Sequence, residues 1–216
     1  MNNADKLLKR ALLLSFVTIL YNFGEGIASV FWGAKDETLA LLGFGVDSFV
    51  EVISGIGILH FVVRMKYSKV VTRDKFEKTA LKVTGYSFYI LTLGLISASV
   101  INLIEGVKPH TTFAGIIISS ISILTMYWLM KSKLNLGKRL NSDAIIADAN
   151  CTRTCFYLSF ILLGASLFYE LSGIGFIDVF GSLGIAYYAF KEGKESLEKA
   201  KSESLACLCD KEGNTK

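Results

Sequence analysis

Two pairs of metal-binding side chains recur at one-turn spacing: Asp47 with Glu51 in GFGVDSFVEVISGIG, and Cys151 with Cys155 in SDAIIADANCTRTCFYLS. Residues four apart on a helix project from the same face, so each pair can offer two ligand atoms to one ion. Asp148 lies three residues before Cys151 and seven before Cys155, which puts all three on one helical stripe. Two carboxylates with two thiols form a four-coordinate oxygen and sulfur set that zinc accepts. The sulfurs favour softer ions such as cadmium or copper(I), and the mixed ligation disfavours magnesium and calcium. Cβ atoms one turn apart are about 5–6 Å from each other, against about 3.8 Å in a disulfide, so Cys151 and Cys155 are not expected to bond within an intact helix.

Both pairs lie in apolar runs. Asp47 and Glu51 fall inside residues 38–63, a run long enough to cross a bilayer. There each acid near the centre costs roughly 2.5–3.5 kcal/mol on insertion scales, and something must compensate that cost. If the second and fifth helices lie together, the two pairs share one ion. Four negative charges around a divalent ion are unstable in a low dielectric, so the empty site is expected to hold protons and metal binding to release them. A site that holds either protons or metal and opens alternately to each side is a proton/metal exchanger.

Other polar residues are expected to support this core. Asp148 either adds a ligand, lines the pathway or accepts backbone hydrogen bonds. Glu25 and Asp178, in the first and sixth apolar runs, either line the route or brace helices. Arg153 points off the stripe and is expected to pair with Glu25 or Asp178, or to reach an aqueous cavity. In the tail, Cys207 and Cys209 form CLC beside Asp210, either a capture point for metal on the cytosolic side or incidental thiols.

These side chains need elements to hold them. The 216 residues are 52% hydrophobic and 19% charged, with mean hydropathy +0.47. That is too apolar for a soluble domain of this size, and the composition predicts an all-α polytopic membrane protein in a lipid bilayer. Six spans are predicted, near residues 11–33, 38–63, 83–104, 111–130, 142–168 and 174–190, with Ser142 as the cap of the fifth. They form a transport domain over 11–190, between an N-terminal segment 1–10 and a tail 191–216. The first run is too long for a signal peptide and is expected to be retained. Lys and Arg gather in the N-terminal segment, the 2–3 loop, the 4–5 loop (Lys131, Lys133, Lys138, Arg139) and the tail, while the opposite loops hold only Lys35 and Lys108. Both termini are therefore expected on the cytoplasmic side, in a cytoplasmic (inner) membrane. The net charge of +4 follows this loop pattern and does not suggest a nucleic-acid partner. Four cysteines are too few for a disulfide framework.

With these residues in view, the chain resembles the cation diffusion facilitator family of metal transporters. GFGVDSFVEV corresponds to the family's second-helix motif, ADANCTRTC to its fifth-helix motif, and IDVFGSLGIAYYAFKEGKESL to its sixth helix, the likeness covering roughly residues 10–197. The resemblance implies a cation-efflux transmembrane domain of six helices with metal ligands at Asp47, Glu51, Cys151 and Cys155. It implies proton-driven antiport of a divalent or soft heavy-metal cation out of the cytoplasm, zinc (Zn2+) or cadmium (Cd2+) first, with cobalt (Co2+), iron (Fe2+) and copper (Cu+) also within its range. A homodimer is implied, with no tightly bound cofactor and no enzymatic reaction. Cysteines replace the family's usual histidine and aspartate on the fifth helix, and Glu51 replaces its usual aspartate. The family's folded cytoplasmic domain is replaced by residues 191–216, so dimerisation is expected to depend on the helices. The rival expectations are a membrane thiol oxidoreductase using Cys151 and Cys155, and a metal-binding sensor subunit that does not transport.

Overall fold

The computed structural model describes residues 3–68, 75–106, 108–140 and 143–201. Among them it contains six helices and no strand: α1 (Asn3–Lys35), α2 (Leu39–Ser68), α3 (Lys75–Glu105), α4 (Phe113–Leu140), α5 (Asp143–Ser172) and α6 (Phe176–Lys201). Five contain stretches long and apolar enough to cross a membrane: Lys6–Lys35, Leu39–Arg64, Lys78–Glu105, Phe113–Leu140 and Thr152–Ser172. The sixth expected span differs. The apolar part of α6 covers only residues 176–190, about 22 Å at the helical rise, against a hydrocarbon core of about 30 Å. Its packing accounts for this, since α6 lies along α3 and also touches α2 and α5, and buries a face of small and polar residues including Asp178, Ser182, Ala186 and Gly193.

The helices outrun the apolar runs that signal them. α4 continues to Leu140, so Lys131 and Lys133, predicted in a loop, are helical, and residues 191–201 of the predicted tail are the last turns of α6. Ser142, the predicted cap of α5, falls outside the described residues.

The tightest partnerships are α1 with α2, α3 with α6 and α4 with α5, while α2 also touches α3, α5 and α6. Glycines permit the closest approaches. A Cβ at Gly33 would lie 2.6 Å from the backbone N of Leu42, and one at Gly45 would lie 2.7 Å from the backbone N of Val30. Small residues at such crossings are how apolar helices pack when lipid removes the usual hydrophobic drive. The central core is Leu41, Phe44, Leu158, Leu162 and Ile185, all almost fully buried. Outside, large apolar side chains such as Leu13, Ile90, Leu93, Leu124 and Phe180 are exposed around the bundle, a surface that suits lipid and not water.

At the end away from the Lys- and Arg-rich connections, carboxylates from later helices cap earlier ones. Asp178 of α6 accepts from the backbone N–H groups of Leu39 (2.8 Å) and Ala40 (3.2 Å) at the start of α2. Glu170 of α5 accepts from the Thr111 hydroxyl (2.7 Å) and from the Thr112 backbone N–H ahead of α4. Of the two roles expected for Asp178, the structure gives bracing. Asp178→Ala should lower stability by about 1–2 kcal/mol, as loss of a helix cap does, measured as a drop in thermal midpoint of the detergent-solubilised protein.

Candidate functional site

Three helices deliver polar side chains to the bundle axis. Gly45 lets α1 close on α2, so that Asn22 and Glu25 of α1 face Asp47, Ser48 and Glu51 of α2. The Asn22 amide donates to Glu51 Oε2 at 2.9 Å, and the Cys155 thiol of α5 donates to Glu51 Oε1. Glu51 is thereby held between α1 and α5. Glu25 accepts from the Tyr21 hydroxyl (2.9 Å) and the Ser48 hydroxyl (3.1 Å).

Asp47 and Asn22 are each 2% exposed. Among the described residues no donor reaches Asp47 Oδ1 or Asn22 Oδ1. A buried acceptor left unsatisfied is costly, and such exceptions need an explanation. Two of them beside a carboxylate and a thiol are lone pairs available to a cation.

Cys155 belongs to a buried stripe of α5 that also holds Asp148, Thr152 and Ser159. Ser159 donates to Ser122 Oγ of α4 at 2.8 Å and fixes the height of α5 against its neighbour. The backbone of Cys151 is helical, but its side chain lies outside the described residues. Of the four expected ligands, the structure therefore joins Glu51 and Cys155 directly and buries Asp47 one turn away. Among the described residues no three His, Cys, Asp or Glu side chains converge on one ion. Donors are gathered here, with the set not drawn in around a single point.

A cavity of about 60 Å³, room for a few waters, runs from Asn22, Glu51 and Cys155 toward the helix ends that carry the 2–3 and 4–5 connections. Along its wall stand Lys133, Asp148, Thr152 and Lys199. Asp148 pairs with Lys133, its Oδ2 3.0 Å from Nζ, and Lys133 also donates to Thr152 Oγ1 at 3.1 Å. The end of the apolar run at Met130 predicts a loop at Lys133. The missed signal is the buried face of α4, where Gly115, Ser119, Ser122, Met126 and Leu129 continue at helical spacing through Lys133 to Leu136 and Gly137.

Two further expectations narrow. Arg153 is exposed, and Glu25 and Asp178 take the partners given above, so Arg153 does not neutralise either acid. Asp178 is at the capped far end and does not line this cavity. Cys207 and Cys209 lie outside the described residues.

An apolar outer surface and long apolar helices, with Glu25 and Asp47 buried inside the bundle, define an all-α polytopic membrane protein. No family model matches the chain. It is 25% identical over 185 residues to Transmembrane protein 163 of Xenopus laevis, an alignment covering 85% of this chain and 64% of that protein. The chain thus spans less than two thirds of the length of this curated relative, whose name agrees with a membrane location.

Proposed function

We propose that the chain is a membrane metal transporter resembling the cation diffusion facilitators, which moves a divalent or soft heavy-metal cation such as zinc or cadmium out of the cytoplasm in exchange for protons. The observation that carries this reading is the Cys155 thiol donating to Glu51 at the end of a cavity, beside the unpartnered oxygens of Asn22 and Asp47. A thiol that donates to a carboxylate is in its proton-holding form. Metal ligation needs the thiolate, so an ion arriving through the cavity must displace that proton. Glu51, Cys155 and Asp47 then supply three charged ligands, Cys151 the fourth that the helix-5 spacing suggests, and Asn22 a neutral oxygen beside them.

Directionality comes from which end is open. The cavity reaches the end with the basic connections, assigned to the cytoplasm by their charge, and does not extend to the far end, where Asp178 and Glu170 tie helix starts to their neighbours. Ion and protons must then bias an equilibrium between this state and one open at the far end, each binding one state better than the other. No covalent step is involved, so the chain is not an enzyme in this reading. Its exposed helical faces are the surfaces available for a homodimer.

The test is flux in proteoliposomes under an imposed pH gradient, with zinc, cadmium, cobalt, manganese and copper offered in turn. The parent should carry at least one of them, and Asp47→Ala and Cys155→Ala should carry it on the order of 100-fold more slowly. Variants that transport like the parent would refute the assigned site, and a parent that binds metal without moving it would favour a sensor. Asn22→Ala, which removes a donor to Glu51 and one unpartnered oxygen, should weaken metal binding by roughly 10–100-fold in equilibrium dialysis. A change under twofold would exclude Asn22 from the site.

A further inference from the structure

Resting on the transport reading, we infer that Lys133 is a tethered cation that, in the metal-free protein, fills an inner cation site made by Asp148 and Thr152, and that the transported ion displaces it on the way to Glu51 and Cys155. The ammonium of Lys133 is held by two oxygens, Asp148 Oδ2 at 3.0 Å and Thr152 Oγ1 at 3.1 Å, with the Lys133 side chain 2% exposed. A carboxylate oxygen with a hydroxyl oxygen is also what a metal cation takes, so ammonium and metal compete for the same atoms. Lysine suits the part because its charge is a compact point on a flexible stem, which can leave without carrying the helix with it.

Location is the second argument. Lys133, Asp148 and Thr152 line the same cavity as Asn22, Glu51 and Cys155. Asp148 precedes Cys155 by seven residues on one buried stripe, about 10 Å along the axis, on the side of the basic connections. An ion that reaches Glu51 through this cavity passes Asp148 first. A bare carboxylate there would hold a divalent ion and slow its release inward. With Lys133 in place, the passing cation exchanges one charge for another.

Bracing is the competing account, and the packing of α4 on α5 argues against it. These helices already interlock: a Cβ at Gly137 would lie 3.0 Å from the backbone N of Ile146, one at Gly115 would run into Ser166 Oγ, and Ser159 bonds Ser122. Buried ion pairs are in general weak net stabilisers compared with apolar replacements. Lys199, on the same wall, pairs one turn away along α6 with Glu195 at 2.6 Å.

The experiment is equilibrium dialysis of cadmium with the purified full chain, together with vesicle flux. Lys133→Gln should bind one more ion per chain than the parent and reach half-maximal flux at about tenfold lower cadmium, with a lower maximal rate. Lys133→Gln combined with Asp148→Asn should return to the parent's stoichiometry. If Lys133→Gln does not fold, Asp148→Asn alone decides: displacement requires half-maximal flux at about tenfold higher cadmium with the maximal rate kept, whereas a brace lowers thermal stability and leaves the half-maximal concentration alone. Unchanged stoichiometry in Lys133→Gln, or the brace result in Asp148→Asn, overturns the inference. Cys155→Ala separates the two ideas. If it binds cadmium like the parent, the transport reading itself fails; if it loses the ion while Lys133→Gln behaves like the parent, only the role of Lys133 fails.

Discussion

Glu51→Gln is expected to lower metal flux by at least about 100-fold while the protein stays folded. Glu51 touches both other parts of the candidate site, accepting from Asn22 on one oxygen and from the Cys155 thiol on the other. Glutamine keeps the length and one carbonyl oxygen, so the link to Asn22 can survive. The substitution removes the charge that attracts a cation and the acceptor that receives the thiol's proton. Because a carboxylate at membrane depth is expensive, losing this one should not destabilise the bundle and can stabilise it. A variant with full stability and no flux therefore identifies a functional acid, whereas a packing residue would show the reverse. Flux and thermal midpoint measured on the same preparations distinguish the two.

Gly45→Leu should be the most damaging change away from the chemistry. Its Cβ alone would lie 2.7 Å from the backbone N of Val30 and 2.8 Å from Ser29 Cβ, and backbone has no rotamer by which to give way. α1 must move off α2. Overpacking of this kind costs about 1–3 kcal/mol, a large share of a stability of about 5–15 kcal/mol. The same movement draws Asn22 away from Glu51, so flux should fall by on the order of tenfold beyond what the loss of folded protein explains. Gly94→Leu is the control, since a Cβ there meets nothing within 4 Å. Equal behaviour of the two variants would show that the α1–α2 approach does not hold the site together.

What could be foreseen from the chain follows from which interactions are local. Apolar runs about twenty residues long, separated by basic connections, announced the helices, because only a helix satisfies its own backbone in lipid. The one-turn spacing of Asp47 and Glu51, and the stripe through Asp148 and Cys155, were visible because they depend on a single element. Helix ends were not, because α4 and α6 carry charged residues onward in helical geometry, and a lysine after an apolar run resembles a loop until its partner is known. That partner, Asp148, is on the next helix. The Asn22 bond to Glu51 joins residues 29 apart, and the Asp178 cap joins α2 to a residue 139 away from Leu39. Such contacts depend on how helices pack, which periodicity within one helix does not encode. Arg153 shows the same limit: its spacing put it off the stripe, yet only packing decided that it faces outward and leaves Glu25 to Tyr21 and Ser48.

In the proposed mechanism Glu51 and Cys155 hold one ion in place of protons. Its most direct test is a cadmium titration of the purified chain in weakly buffered detergent, with Cys207 and Cys209 replaced by serine, following ultraviolet thiolate-to-metal charge-transfer absorption and proton release together. Both signals should rise and saturate together, and both should collapse in Glu51→Gln and Cys155→Ala. Cadmium that binds with neither signal, or a Cys155→Ala titration that overlays the parent's, would contradict it.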